Sequence, residues 1–79
     1  MKQKKVSNID QYVIDKVKEK RKRMKLSQAD LALQLEVSLG FIGSVESSKQ
    51  RAKYNLTHLN ELAKIFNCSP QDFLSKKPL

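Results

Sequence analysis

Residues 26–46 read LSQADLALQLEVSLGFIGSVE, and this stretch decides how the chain folds. It holds two short apolar-periodic segments, opened by Ser27 and Ser38, with only Glu36 and Val37 between the last leucine of the first and the second serine. Ser27 with Asp30 three residues on is a capping box: the hydroxyl takes one orphan amide of the first turn and the acid takes another. A helix is predicted over about 28–35, with Leu31, Leu33 and Leu35 as its apolar set and Ala32 between them. Ser38 opens the next helix, over about 39–47, in which Ile42 and Val45 face inward. Gly40 and Gly43 lie inside that second helix and each costs about 1 kcal/mol relative to alanine, so packing has to hold it. Two helices joined through so short a connection make a tight corner rather than an antiparallel hairpin, which is the geometry of a helix-turn-helix.

Outward from the corner, the chain continues as helices. Residues 1–7 read as a basic, flexible tail with nothing to bury. From Asn8, the residues Ile9, Val13, Val17 and Met24 recur at spacings of four, four and seven, which predicts a helix with these on its inner face. Ser7 or Asn8 caps its start, and Lys22, Arg23 and Lys25 suit the negative end of its dipole. On the other side, SSKQRAK (residues 47–53) has no apolar period and reads as a polar loop. Asn55 then caps a helix in which Leu56, Leu59, Leu62, Ala63 and Phe66 form one stripe with Ile65 beside it. Asn67 suits the left-handed stop of that helix, and Ser69-Pro70-Gln71-Asp72 starts a fifth, anchored by Phe73 and Leu74. The expected fold is all-α, a compact five-helix domain over residues 8–75 with a short tail at 76–79.

Seventy-nine residues support one core. The chain carries 16 Lys and Arg against 8 Asp and Glu, a formal charge of +8, which points to a polyanionic partner. The charge is clustered: Lys16, Lys18, Lys20, Arg21, Lys22, Arg23 and Lys25 crowd one segment, and Lys49, Arg51 and Lys53 another. No apolar run approaches the roughly 18 residues of a membrane span, and the opening MKQKKV lacks the apolar centre of a signal peptide, so a cytoplasmic location is expected. The single cysteine, Cys68, has no internal disulfide partner and reads as a small core residue. With His58 as the one histidine, neither a metal cluster nor a catalytic set is recognisable; no enzyme activity, cofactor or small-molecule ligand is expected.

Several residues, in order, resemble one family. Arg21, LSQADLA at 26–32, VS at 37–38, Ile42, VE at 45–46, the basic loop and LAKIFNCSPQDFL at 62–74 look like the phage-repressor-like helix-turn-helix regulators of the XRE or Cro type. The resemblance covers roughly residues 17–74 and implies a lambda-repressor-like DNA-binding fold, with double-stranded DNA as partner. It implies that the helix after Ser38 enters the major groove, with Ser38, Leu39, Gly40 and Ser44 toward base edges. It implies phosphate contacts from Ser27 and Gln28 at the start of the preceding helix, and from Lys49, Arg51 and Lys53 along the backbone. It further implies an internal ion pair between Arg21 and Glu46, and binding to two half-sites as a homodimer, a state the sequence itself leaves open. Relatives often carry Gln, Arg or Asn where Leu39 and Gly40 stand, and glycine where Glu36 and Ser48 stand. A different reading is a protein-interaction module, such as the antitoxin of a toxin-antitoxin pair, using Leu39, Phe41 and the glycines as its surface. A third is a membrane-surface first helix, with Tyr12 as its one interfacial anchor.

Overall fold

The computed structural model describes residues 6–47 and 51–79. Four α-helices follow one another, α1 (Asn8–Arg23), α2 (Gln28–Leu35), α3 (Leu39–Glu46) and α4 (Leu56–Phe66), and a 3-10 turn at Pro70–Phe73 takes the place of the fifth helix. No strand occurs among the described residues. Each of these elements starts on a polar side chain that satisfies a first-turn amide: Ser7 for Asp10, Ser27 for Asp30, Ser38 for Phe41, Asn55 for His58 and Ser69 for Gln71. Among the described residues three non-glycine residues sit in the left-handed region, Lys25 (φ 57), Glu36 (φ 61) and Asn67 (φ 54). Asparagine tolerates that region, whereas lysine and glutamate are held there at a cost of about 1 kcal/mol each.

The core lies where all four helices and the turn meet. α1 gives it Val13, Ile14 and Val17, α2 gives Leu31, Ala32 and Leu35, and α3 gives Ile42 and Val45. Leu59, Leu62 and Ala63 of α4, Phe73 of the turn and Tyr54 before α4 complete it. Burying each of the larger side chains is worth about 1.5 to 3 kcal/mol. Val6, just before the cap of α1, packs against the same cluster.

Five leucine, isoleucine and methionine positions depart from the expected core. Ile9 and Met24 are 42% and 48% exposed, and Ile14 and Arg21 are buried in their stead. Ile9 stands about 80° round the α1 axis from Val17, on the side away from Arg21, and Met24 has already left the helix as its C-cap. Leu33 is 80% exposed because residues two apart on a helix point to opposite sides; Leu31, Ala32 and Leu35 are the set that shares a face. Leu56 falls on the stripe of α4 by angle but occupies its first position, beyond the core, and is 79% exposed. In the last turn Phe73 is the buried anchor, and Leu74 is 39% exposed.

Candidate nucleic-acid interface

The corner is built by the end of α2. Glu36 in the left-handed conformation turns the chain, its N–H donating to the Leu33 carbonyl (3.3 Å), while the Val37 N–H donates to the Ala32 carbonyl (3.0 Å). That double closure satisfies two orphan carbonyls and delivers Ser38 directly as the cap of α3. α2 and α3 pack face to face through their buried sides, and among the described residues the opposite side of α3 is left uncovered. Leu39 is 53% exposed there, Gly40 is exposed and Ser44 half-buried. The hydroxyl of Ser38 accepts the Phe41 N–H at 3.0 Å, and Ser47 Oγ donates to the Ser44 carbonyl at 3.1 Å. Glu46, the single charged residue of α3, is turned inward.

The inner end of α3 is fixed by a polar network. Arg21 Nε and Nη2 donate to the two carboxylate oxygens of Glu46, both at 2.9 Å, and its Nη1 donates to the Leu26 carbonyl at 2.7 Å. The side chains are 10% and 2% exposed, so the pair is removed from solvent screening. Gln28 Nε2 adds a third donor to Glu46, at 3.0 Å. One carboxylate thus ties together α1, the start of α2 and the end of α3. The Tyr54 hydroxyl is buried nearby and has no hydrogen-bond partner among the described residues; burial, and then the charge of Glu46, push its pKa up.

A second anchor for α3 is aromatic. Phe41 lies with its ring centre 5.2 Å from that of His58 and 6.0 Å from that of Tyr54. His58 is placed by the cap of α4: its Nδ1 accepts the Asn55 N–H at 3.0 Å, so the ring proton resides on Nε2. The signal of this role in the sequence is the Asn55–His58 spacing of three.

The cations of the expected phosphate surface are disposed differently from one another. Lys49 lies outside the described residues. Arg51 is exposed, and Lys53 Nζ stands 3.3 Å from Asp10 Oδ2 at the start of α1. Ser27 spends both its N–H and its hydroxyl on Asp30 (3.0 and 2.9 Å), which leaves the Gln28 and Ala29 amides as the outward donors at the head of α2. Cys68 is half-buried and packs against the core, where burial pushes its thiol pKa up. Among the described residues no three His, Cys, Asp or Glu are grouped to hold a metal ion, and no helix is long and apolar enough to cross a membrane.

Corner, cap and network together define a helix-turn-helix domain. The family model for the helix-turn-helix, HTH_3, matches residues 17–73, and the chain belongs to this family of phage-repressor-like regulators of the XRE or Cro type. Among solved structures, the chain is similar to the restriction-modification controller protein C.AhdI from Aeromonas hydrophila, with a TM-score of 0.68 and 22% identity over 80% of this chain and 92% of that one. It is also similar to the hypothetical transcription factor NHTF from Neisseria, with a TM-score of 0.74 and 18% identity over 86% of this chain and 76% of that one. Hydroxypropylphosphonic acid epoxidase from S. wedmorenis matches with a TM-score of 0.71 and 19% identity over 85% of this chain, but the match covers 35% of the enzyme. At these identities what is shared is the fold. The comparison with curated proteins gives no match.

Proposed function

We propose that the chain is a DNA-binding transcription regulator that lays α3 in the major groove of double-stranded DNA. The observation that carries this reading is the outward face of α3, small and uncharged in a protein of net charge +8, and held from behind by the Arg21–Glu46–Gln28 network. Leu39 then meets a thymine methyl, Ser38 and Ser44 offer hydroxyls to base edges, and Gly40 lets the backbone approach closely. The Ser38 hydroxyl accepts within its cap and keeps its proton for a base acceptor. The Gln28 and Ala29 amides, with Ser27 beside them, face one phosphate at the head of α2, while Lys49, Arg51 and Lys53 follow the backbone. Lys53 exchanges Asp10 for a phosphate, an exchange of low cost for a side chain 58% exposed. With no bidentate reader on α3, part of the selectivity comes from DNA shape. The regulator works in the cytoplasm, as a homodimer on two half-sites, without a cofactor and without catalysing a reaction.

Selection of bound duplexes from a random DNA pool tests this. The expected result is a recurrent half-site repeated about one helical turn apart. A pool that stays random at every position, or that is not retained at all, would overturn the reading.

A further inference from the structure

We propose that Lys18, Lys22 and Lys25 form a second phosphate-binding strip, along α1 and its connection to α2, which extends the DNA contact beyond α3 and the loop after it. The inference rests on the reading of α3 given above. It begins with where each cation finds its counter-charge. Arg21 is held by Glu46, Arg23 by Glu19 (2.7 Å), Lys53 by Asp10 (3.3 Å) and Lys64 by Glu61 (2.8 Å). Lys16 lies 5.4 Å from the centre of the Tyr12 ring, and Lys20 lies 6.0 Å from that of Phe73. Among the described residues no carboxylate pairs with Lys18, Lys22 or Lys25. Asp15, also on α1, instead takes a hydrogen bond from Gln11 Nε2 at 2.9 Å, and Asp30 is engaged by Ser27.

Their placement follows from helix geometry. Arg21 and Lys20 mark two directions on α1, toward Glu46 at the end of α3 and toward Phe73 in the last turn. Lys18 and Lys22 stand about 60° and 100° round the axis from Arg21, on the side away from Lys20. Lys25 follows α1, two residues ahead of the cap of α2, and the bond from Arg21 Nη1 to the Leu26 carbonyl fixes that connection. Lys18 and Lys22 thus lie on the Arg21 side of α1, and Lys25 lies in the connection that Arg21 holds, two residues ahead of the head of α2. Lys22 and Lys25 are exposed and Lys18 is half-buried. Lys25 also holds a left-handed backbone (φ 57) that glycine adopts without penalty. Lysine at this position carries a charge at the expense of stability.

That conflict gives a test in which two readouts move in opposite directions. Salt titrations of binding to a short mixed-sequence duplex are run on the 79-residue chain and on Lys18→Gln, Lys22→Gln and Lys25→Gly. Each variant should lower the slope of log K against log salt by about 0.9, and Lys25→Gly should at the same time raise Tm by a few degrees. Lys76→Gln with Lys77→Gln, twice the charge change of any one strip variant and near the C-terminus, should leave the slope at the parent value. Parental slopes in the three strip variants, or an equal loss per charge from the C-terminal pair, would overturn the strip while leaving the reading of α3 in place. A parent chain that binds no duplex would overturn both.

Discussion

α2 and α3 have the same length, eight residues, and the same kind of cap, yet they are stabilised in different ways. α2 carries its own instructions: a complete capping box, helix-favouring Leu, Ala and Gln, a closed C-terminus and three buried side chains. α3 has a serine cap with no acid in its first turn, two glycines, and two buried side chains. What α3 lacks locally is supplied from elsewhere, by Ile42 and Val45 in the core, by Phe41 against His58 and Tyr54, and by Glu46 held on Arg21 and Gln28. A helix stabilised from behind is free of stabilising duties on its front, so its outward face can be shaped for contact.

The largest effect should come from cutting that support. Arg21→Met leaves the Glu46 carboxylate, 2% exposed, with Gln28 as its remaining side-chain donor, and should cost about 3 to 5 kcal/mol in urea denaturation. Adding Glu46→Leu to Arg21→Met should recover much of the loss, because the uncompensated charge goes with it. If the single variant melted as the parent does, α3 would be standing on its own and the contrast with α2 would collapse.

The next change acts on α3 itself. A Cβ built on Gly43 meets Gln28 Oε1 at 3.9 Å, ordinary contact, and one on Gly40 meets only Ser38 Oγ at 3.9 Å. Gly43→Ala should therefore stabilise the domain by about 1 kcal/mol, through the helix preference of alanine alone. A loss of stability from this variant would show that Gln28 needs the open space above Gly43 to reach Glu46.

These contrasts also mark how far the sequence could be read. Caps, the stop at Asn67 and the corner between Leu35 and Ser38 were legible, because each is a local pattern of a few residues with one physical meaning. The buried faces were legible only in part. An apolar count on α1 admits Ile9 and Met24, whereas the true face is turned toward Ile14 and Arg21, since an arginine paired 25 residues away belongs to it. Likewise Lys53, at the end of a basic run, meets Asp10 from 43 residues away, and the unpartnered Tyr54 hydroxyl has no sequence signature. Such pairings are set by how the helices pack, which spacing within one helix does not encode.

Acid should separate the two helices again, more gently. The Ser27 N–H and hydroxyl bind the Asp30 carboxylate and hold its pKa below the usual value, while the cap of α3 has no titrating partner. The unfolded chain takes up this proton at higher pH than the folded one, so the contribution is complete above the ordinary carboxylate pKa and is lost as pH falls through the folded value. Urea midpoints followed downward from about pH 5 should decline less steeply in Asp30→Asn than in the parent. Parallel curves would mean that the box on α2 is no stronger than the bare cap on α3.

The smallest effect on stability is expected at Leu39, and it bears most directly on what α3 is for. Leu39 follows the cap, is 53% exposed, and lies outside the core that Ile42 and Val45 enter. Leu39→Ala should therefore change the urea midpoint by less than the equivalent of about 0.5 kcal/mol, as an exposed substitution does. If the side chain meets a thymine methyl, the variant should lose discrimination at one T·A position of the selected site, by at most about 1 to 3 kcal/mol, with affinity for unrelated DNA unchanged. Ser44→Ala should do the same at a neighbouring position. Full selectivity in both variants would place base reading elsewhere. A large loss of stability from Leu39→Ala would instead turn this leucine into part of the support of α3, and the division between a held back and a free front would no longer describe the helix.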